Sequence, residues 1–459
     1  MRRRGEEGQA LILVAAGLTL LMMAAGLGVD YGYLRYQKRL QQAAADSAAI
    51  AGASEIAYGD VTSASQADSA SNGYTDGANN VTVTVSNPPN DGPHAGDAGY
   101  VEVLVAQIHS TFFAKAVGFP TVSITARAVA WAGGSGGCIY ALEPSGTGIL
   151  MNGSPSITSQ CGVIVDSSTS GNALLLNGSG FITAPYTGVV GGVLLNGSVS
   201  VTPPAVTGIV PASDPLAYLD NSKPSITAPC SGNSYPAING NTTITVPGND
   251  CYNVTINGAN NNVTLSPGNF GSVTINGSNN TVTLGAGQYG NVVINGSSNA
   301  VTFGPGQYSS ITGNGAGTET YNSGTYVISS GALILNGANG ITGSGVVFYL
   351  GPNAGALTIN GSNTTDLSAP TSGTFAGILI FQDPADTNAA VINGSNGTVF
   401  NGALYFPKAQ LTMNGSNSAS SAYTILVVWN LVMNGTDTFN DNYAALAGGS
   451  PVHRAILVE

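Results

Sequence analysis

Hydrophobic and polar positions follow different periods in different parts of the chain. From Ala10 to Val29 (ALILVAAGLTLLMMAAGLGV) twenty residues pass without a charge. At about 1.5 Å per helical residue that run matches a hydrocarbon layer of about 30 Å, and it predicts one membrane-spanning helix. A cleaved signal peptide, with Ala24, Ala25 and Gly26 as its cleavage region, is the alternative. The run is longer than the roughly 7–15 residues of a signal-peptide apolar core, which favours the anchor. Leu34 to Ile56 is rich in helix formers and free of proline, so the helix is expected to continue as a stem. Val81 to Val85 and Tyr100 to Val105 then alternate at period two, Ser110 to Val117 reads as a short helix, and Thr121 to Val129 as a further strand. With the stem these predict a small α+β domain.

After Gly133 the pattern becomes a repeat. Val254 to Ser272 (VTINGANNNVTLSPGNFGS), Val273 to Asn291 (VTINGSNNTVTLGAGQYGN) and Val292 to Ser310 (VVINGSSNAVTFGPGQYSS) are three contiguous nineteen-residue units. Asn-Gly recurs at Asn257, Asn276, Asn295 and Asn314, with looser copies at Asn152, Asn177, Asn196, Asn239, Asn336, Asn360, Asn393, Asn414 and Asn434. Each unit reads as strand, turn, strand, turn, which predicts a parallel β-solenoid of about nineteen residues per coil. An antiparallel hairpin also accommodates Asn-Gly, but the constant period favours the solenoid. Stacking at about 4.8 Å would align Val254/Val273/Val292, Ile256/Ile275/Ile294, Leu265/Leu284/Phe303 and Phe270/Tyr289/Tyr308, with Asn257, Asn276 and Asn295 as a polar ladder. Some fifteen coils are expected, with Ala422 to Asn434 closing the stack.

Composition sharpens this reading. Charged residues make up 7% of the 459, against about 25% in ordinary globular chains. Beyond Ala132 only Lys223, Lys408 and Arg454 are basic. Like charges stacked in register repel, whereas Asn and Thr hydrogen-bond along a ladder. Glycine supplies the positive φ of a tight corner. A net charge of −12 with no basic stripe excludes a nucleic-acid partner. The four cysteines, Cys138, Cys161, Cys230 and Cys251, allow three pairings. Proximity favours Cys138 with Cys161 and Cys230 with Cys251 if this region is exported, and four free thiols otherwise. Arg2, Arg3 and Arg4 before the span nearly balance Arg35, Lys38 and Arg39 after it, so the cysteines decide the orientation.

Glu7 to Ala53 resembles the N-terminal segment of TadE/TadG-like proteins of the tight-adherence (Flp) pilus system. The resemblance rests on Gly8-Gln9-Ala10, on Val29-Asp30-Tyr31-Gly32, on Leu40-Gln41, and on Ala44-Ala45-Asp46-Ser47-Ala48-Ala49 followed by Ala51-Gly52-Ala53. It implies a bacterial envelope protein with an uncleaved helix and an exported remainder. Related pilins are processed beside a glycine and carry a glutamate inside the mature helix; here Glu6 and Glu7 precede the apolar run, so a membrane-retained form is expected.

Candidate chemistry is sparse. Asp166-Ser167-Ser168-Thr169-Ser170 has the spacing of von Willebrand A metal sites, which occur in many TadG proteins, but it adjoins a repeat coil rather than alternating strands and helices. Asp383 and Asp386 could bind a cation, but an Asp-Pro turn is the plainer account of them. His94, His109 and His453 lie away from them in sequence. The Asn-x-Ser/Thr sequons read as repeat turns.

The expected organisation is a cytoplasmic N-terminus (1–9), a transmembrane helix (10–29), a helical stem with a small α+β domain (30–132), a solenoid (133–443) with an insertion near 205–238, and a C-terminal tail (444–459). The expected role is structural, without cofactor, metal or catalysis, in a single-pass bacterial inner-membrane protein whose bulk is periplasmic or surface-exposed. Its expected partners are the inner membrane and other tight-adherence components or envelope polymers. A glycan-binding adhesin and, more distantly, a polysaccharide-degrading β-helix enzyme remain the alternatives.

Overall fold

The computed structural model describes residues 7–56, 60–134, 137–315, 317–336, 339–360, 365–394, 398–417, 421–442, 445–446, 450–452 and 454–458. They form two units, one of residues 1–134 with 453–459 and one of residues 135–452.

The first unit begins with α1 (Glu7–Ser54), a single uninterrupted helix. Its N-terminal part has a mean hydropathy of 2.3 and is long and apolar enough to cross a membrane once. Its C-terminal half lies on an antiparallel sheet of β1 (Val81–Ser86), β2 (Tyr100–Ser110), β3 (Thr121–Gly134) and a C-terminal strand, Arg454–Leu457. Ala44, Ala45, Ala48, Ala49 and Ala53 are buried against Val101, Val103, Val105, Ala126 and Ala128. The alanine run of the sequence is therefore a packing device: small side chains let the helix backbone approach the sheet. A second helix, α2 (Val61–Ser71), starts at Asp60, whose carboxylate accepts from the amides of Thr62 and Ser63. The expected short helix is a 3-10 turn, Ala114–Val117. The C-terminal residues, expected to be a tail, contribute the fourth strand, with Ala130 opposite Leu457 and Trp131 opposite Ile456.

The second unit is a parallel β-solenoid of about 13 turns with spacing near 22 residues. Nineteen-residue spacing holds where the repeat is cleanest, with Val254, Val273, Val292 and Ile311 in register. It lengthens beyond that, where Leu333, Leu357 and Ala390 continue the column across longer loops. The aromatic column stacks nearly flat, Phe270 on Tyr289 at 5.3 Å and Tyr289 on Tyr308 at 4.9 Å between centroids.

The order of coils in space is not the order in the chain. Ala422 to Asn434, expected to close the stack, falls largely in the strand Thr424–Phe439, which is covered by the first coil: Leu426 pairs with Ile139, Leu431 with Ile149 and Thr436 with Ser156, all parallel. Coils from Gly137 to Thr207 continue the stack that Thr243 to Phe439 builds. The chain thus enters the solenoid in mid-stack, rises to one end, and returns along the flank to start again at the other. The rising end carries Val193–Gly197 and Ser200–Thr202, where Leu195 aligns with buried Leu176 yet is 44% exposed. Two expectations change here: the stack has about thirteen coils rather than fifteen, and its ends lie near Thr207 and Ser234.

Corners also depart from expectation in one respect. At the Asn-Gly corner of the three clean coils the positive φ belongs to Asn260, Asn279 and Ser298, not to the glycine. Gly277 and Gly296 are required for a different reason: a Cβ there would collide with the carbonyl of Gly258 or Gly277 in the coil below.

Candidate functional site

The residues that could carry chemistry gather beneath the returning segment, residues 208–233. Pro211, Pro215, Pro224 and Pro229 remove ladder donors, so this segment runs outside the coils as a strap with one short 3-10 turn, Ala217–Ser222, and the chain rejoins the stack with Ser234 opposite Asn253 and Ile238 opposite Ile256. Leu216 and Leu219 anchor it in an apolar patch with Tyr140, Ile164, Tyr349 and Tyr405. Polar links mark its course down the flank. The Ala212 amide donates to Asp166 Oδ1 at 2.9 Å, and the Tyr405 hydroxyl to Asp214 Oδ2 at 2.7 Å. Lys223 Nζ lies 3.3 Å from Asp383 Oδ2 and 3.5 Å from Asp220 Oδ1. The Thr227 amide donates to Gln307 Oε1 at 2.8 Å, and Gln288 Nε2 to the Ala228 carbonyl at 2.7 Å. Cys230 then meets Cys251 at a Cα separation of 6.0 Å.

Asp383 and Asp386 form consecutive turns. Asp383 Oδ1 accepts from the Ala385 amide and Asp386 Oδ1 from the Asn388 amide, each at 2.9 Å, while the Tyr349 hydroxyl donates to Asp383 Oδ2 at 2.7 Å. Burial would raise the Asp383 carboxyl, but the Tyr349 hydroxyl, the Ala385 amide and Lys223 together hold it below its ordinary value. Asp214 and Asp166 are instead pushed up, chiefly by burial. Among the described residues no group of three His, Cys, Asp or Glu side chains is placed to hold a metal. Asp166, with the von Willebrand A spacing, is a strap anchor. His94 stacks on Tyr100 at 4.0 Å and His109 Nε2 lies 3.1 Å from Gln41 Oε1, both in the small domain, and His453 lies outside the described residues.

Cys138 lies beside Cys161 at a Cα separation of 5.3 Å, so both cysteine pairs favoured by proximity stand at disulfide distance. Ile256, Ile275 and Ile294 are buried in register. Asn276 Nδ2 donates to Asn257 Oδ1 at 3.0 Å and Asn295 Nδ2 to Asn276 Oδ1 at 2.9 Å. The same one-directional ladder runs through Asn314, through Asn393, Asn414 and Asn434, and through Asn177 and Asn196. A second, internal ladder joins Asn261, Asn280 and Asn299 at the corners.

One titratable group escaped the sequence reading. Glu319 takes an inward position between Val301 and Ile341 in the aliphatic column, 3% exposed, and accepts from the Tyr321 hydroxyl at 2.9 Å. Burial lifts its carboxyl to about 7. Its spacing of two from inward Tyr321 was the available signal.

Residues 8–55 match the model of the putative Flp pilus-assembly TadE/G-like family. No curated protein and no solved structure matches the chain. The matched residues coincide with α1, from its apolar start through the alanine face that seats on the sheet. The chain therefore carries a TadE/G-like Flp pilus-assembly domain at residues 8–55, in front of a β-solenoid.

Proposed function

We propose that this protein is a membrane-anchored structural component of tight-adherence (Flp-type) pilus assembly. Its N-terminus lies in the cytoplasm and its solenoid is held outside the inner membrane. The observation that carries the reading is the family match over residues 8–55, which spans one apolar helix and its docking face. Two cysteine pairs at disulfide distance support an oxidising compartment for the solenoid. A structural rather than catalytic role is supported by the fate of the carboxylates. Asp166 and Asp383 bind the strap, Asp214 ties the strap to Tyr405, and Asp386 closes a turn.

Deleting the gene in the bacterium that encodes it, then scoring pili and surface attachment, tests the role; unchanged pili and attachment would remove it. Thiol labelling in intact cells tests the compartment independently. All four cysteines should resist labelling until reductant is added, and ready labelling without reductant would place the solenoid in the cytoplasm.

A further inference from the structure

The connection between β2 and β3 returns to the end of the apolar half of α1. Asp30, 3% exposed, receives three amides from it: Phe112 N to Oδ1 at 2.7 Å, Phe113 N to Oδ2 at 2.9 Å and Ala114 N to Oδ2 at 2.6 Å. The Phe113 ring sits over Gly26, where a Cβ would come within 2.6 Å of it. Tyr33 meets Phe112 edge-on at 5.1 Å. The connection is therefore fixed to the helix, yet its large apolar side chains face outward: Phe112 is 54%, Phe113 51%, Val117 50% and Phe119 65% exposed. An apolar hollow of about 200 Å³ lies between Met22, Met23 and Leu27 of the helix and Phe113, Ala116 and Val117 of the connection. Lys115 is the one charged residue from Thr111 to Phe119.

Three half-exposed phenylalanines are costly in water and favourable at a membrane interface, where aromatic rings concentrate and a lysine reaches the headgroups. If the bilayer ends near Val29, Phe113 at the level of Gly26 lies about 5 Å inside the apolar boundary, the depth of interfacial segments. We propose that residues 111–119 form a lipid-seated foot: Phe112, Phe113, Val117 and Phe119 enter the interfacial layer of the bilayer that α1 crosses, with Lys115 at its headgroups. The foot holds the small domain against the membrane instead of leaving it on a free stem. The inference rests on reading the apolar half of α1 as a membrane span.

The test uses the full chain in vesicles of phosphatidylcholine and phosphatidylglycerol, in a Trp131→Phe/Trp429→Phe background, with single tryptophans at Leu20→Trp, Phe113→Trp or Phe119→Trp. Brominated lipids report depth. Phe113→Trp and Phe119→Trp should each lose roughly half their emission to bromines near the headgroup and much less to bromines at the chain ends, with Leu20→Trp showing the reverse preference. Phe119→Trp, at an exposed position, covers the case in which a larger ring cannot sit over Gly26. Quenching of Leu20→Trp without quenching of either foot position overturns the foot while the anchor stands. No quenching at Leu20→Trp overturns both.

Discussion

In the small domain a helix lies on an antiparallel sheet, and the helix side of the core is built from alanines. In the solenoid the core is a column of Val, Ile, Leu, Phe and Tyr, with alanine a minor component. The contrast follows from geometry. A helix must bring its backbone close to a sheet to exclude water, so small residues win there. A coil wraps around its own interior, so large side chains must fill it. The same contrast governs charge. The small domain keeps an ion pair between Arg127 and Glu102 on its sheet. In the solenoid every strand position has an equivalent above and below, so a repeated charge would face its own kind at about 4.8 Å. Asparagine replaces it, since each side chain can donate downward and accept from above.

The largest expected effect comes from breaking the aromatic column. Tyr289 is fully buried, stacked on both sides, and its hydroxyl donates to the Gly285 carbonyl at 2.7 Å. Tyr289→Ala should cost the solenoid about 3–5 kcal/mol, followed as a fall in its urea midpoint. A shift below a few tenths would mean that the column fills space without organising the coils.

Glu319 interrupts the aliphatic column with a carboxyl, and it turns the comparison into a pH experiment. Its folded carboxyl is raised to about 7 from an ordinary 4.5, chiefly by burial. Below about pH 4.5 the group is neutral in both states and costs nothing. As pH rises toward 7 the unfolded chain releases its proton first, and the folded state loses ground. Glu319→Gln should therefore stabilise the solenoid at pH 8 by about 3 kcal/mol and have no effect near pH 4. Equal urea midpoints of parent and variant at both pH values would show that the carboxylate is solvated.

Much of this architecture was legible because repeats announce themselves locally. Val254, Ile256, Asn257 and Phe270 recur at a fixed spacing, so strand identity, inward face and ladder partners follow from one unit. The mid-stack start was not legible. Gly137 to Ala141 carries no local sign that its edge pairs with Thr424 to Phe439, because any inward-apolar coil offers the same parallel edge. The strap could be recognised by its prolines, but its partners could not: Lys223 and Asp383 meet from 160 positions apart with no shared period. Arg454–Leu457 was hidden for the same reason, as it pairs with β3 across the whole solenoid sequence.

In the small domain, the corresponding test inverts the requirement for bulk. Ala48 is fully buried between α1 and its neighbours. Ala48→Leu should overpack that site and cost about 1–3 kcal/mol, read as faster amide exchange in Tyr100–Ser110. Exchange in the solenoid strands should not change. If Ala48→Leu were neutral, the alanine run matched at residues 8–55 would need an explanation other than close packing on the sheet.

The smallest effect bears most directly on why the solenoid carries so few charges. Asn276 is exposed, donates to Asn257 and accepts from Asn295. Asn276→Asp or Asn295→Asp alone removes one donated hydrogen bond and should cost about 1 kcal/mol. Together they place two carboxylates one above the other at about 4.8 Å, where repulsion adds about 1 kcal/mol in a water-like environment and more where the ladder is partly desolvated. A double-mutant cycle should therefore show an unfavourable coupling of about 1 kcal/mol at pH 7 that disappears near pH 3, once both carboxyls are protonated. If the coupling were zero at pH 7, stacked charge would be tolerable on this face. The scarcity of charge along the ladder would then have to come from what the solenoid touches, not from how its coils are stacked.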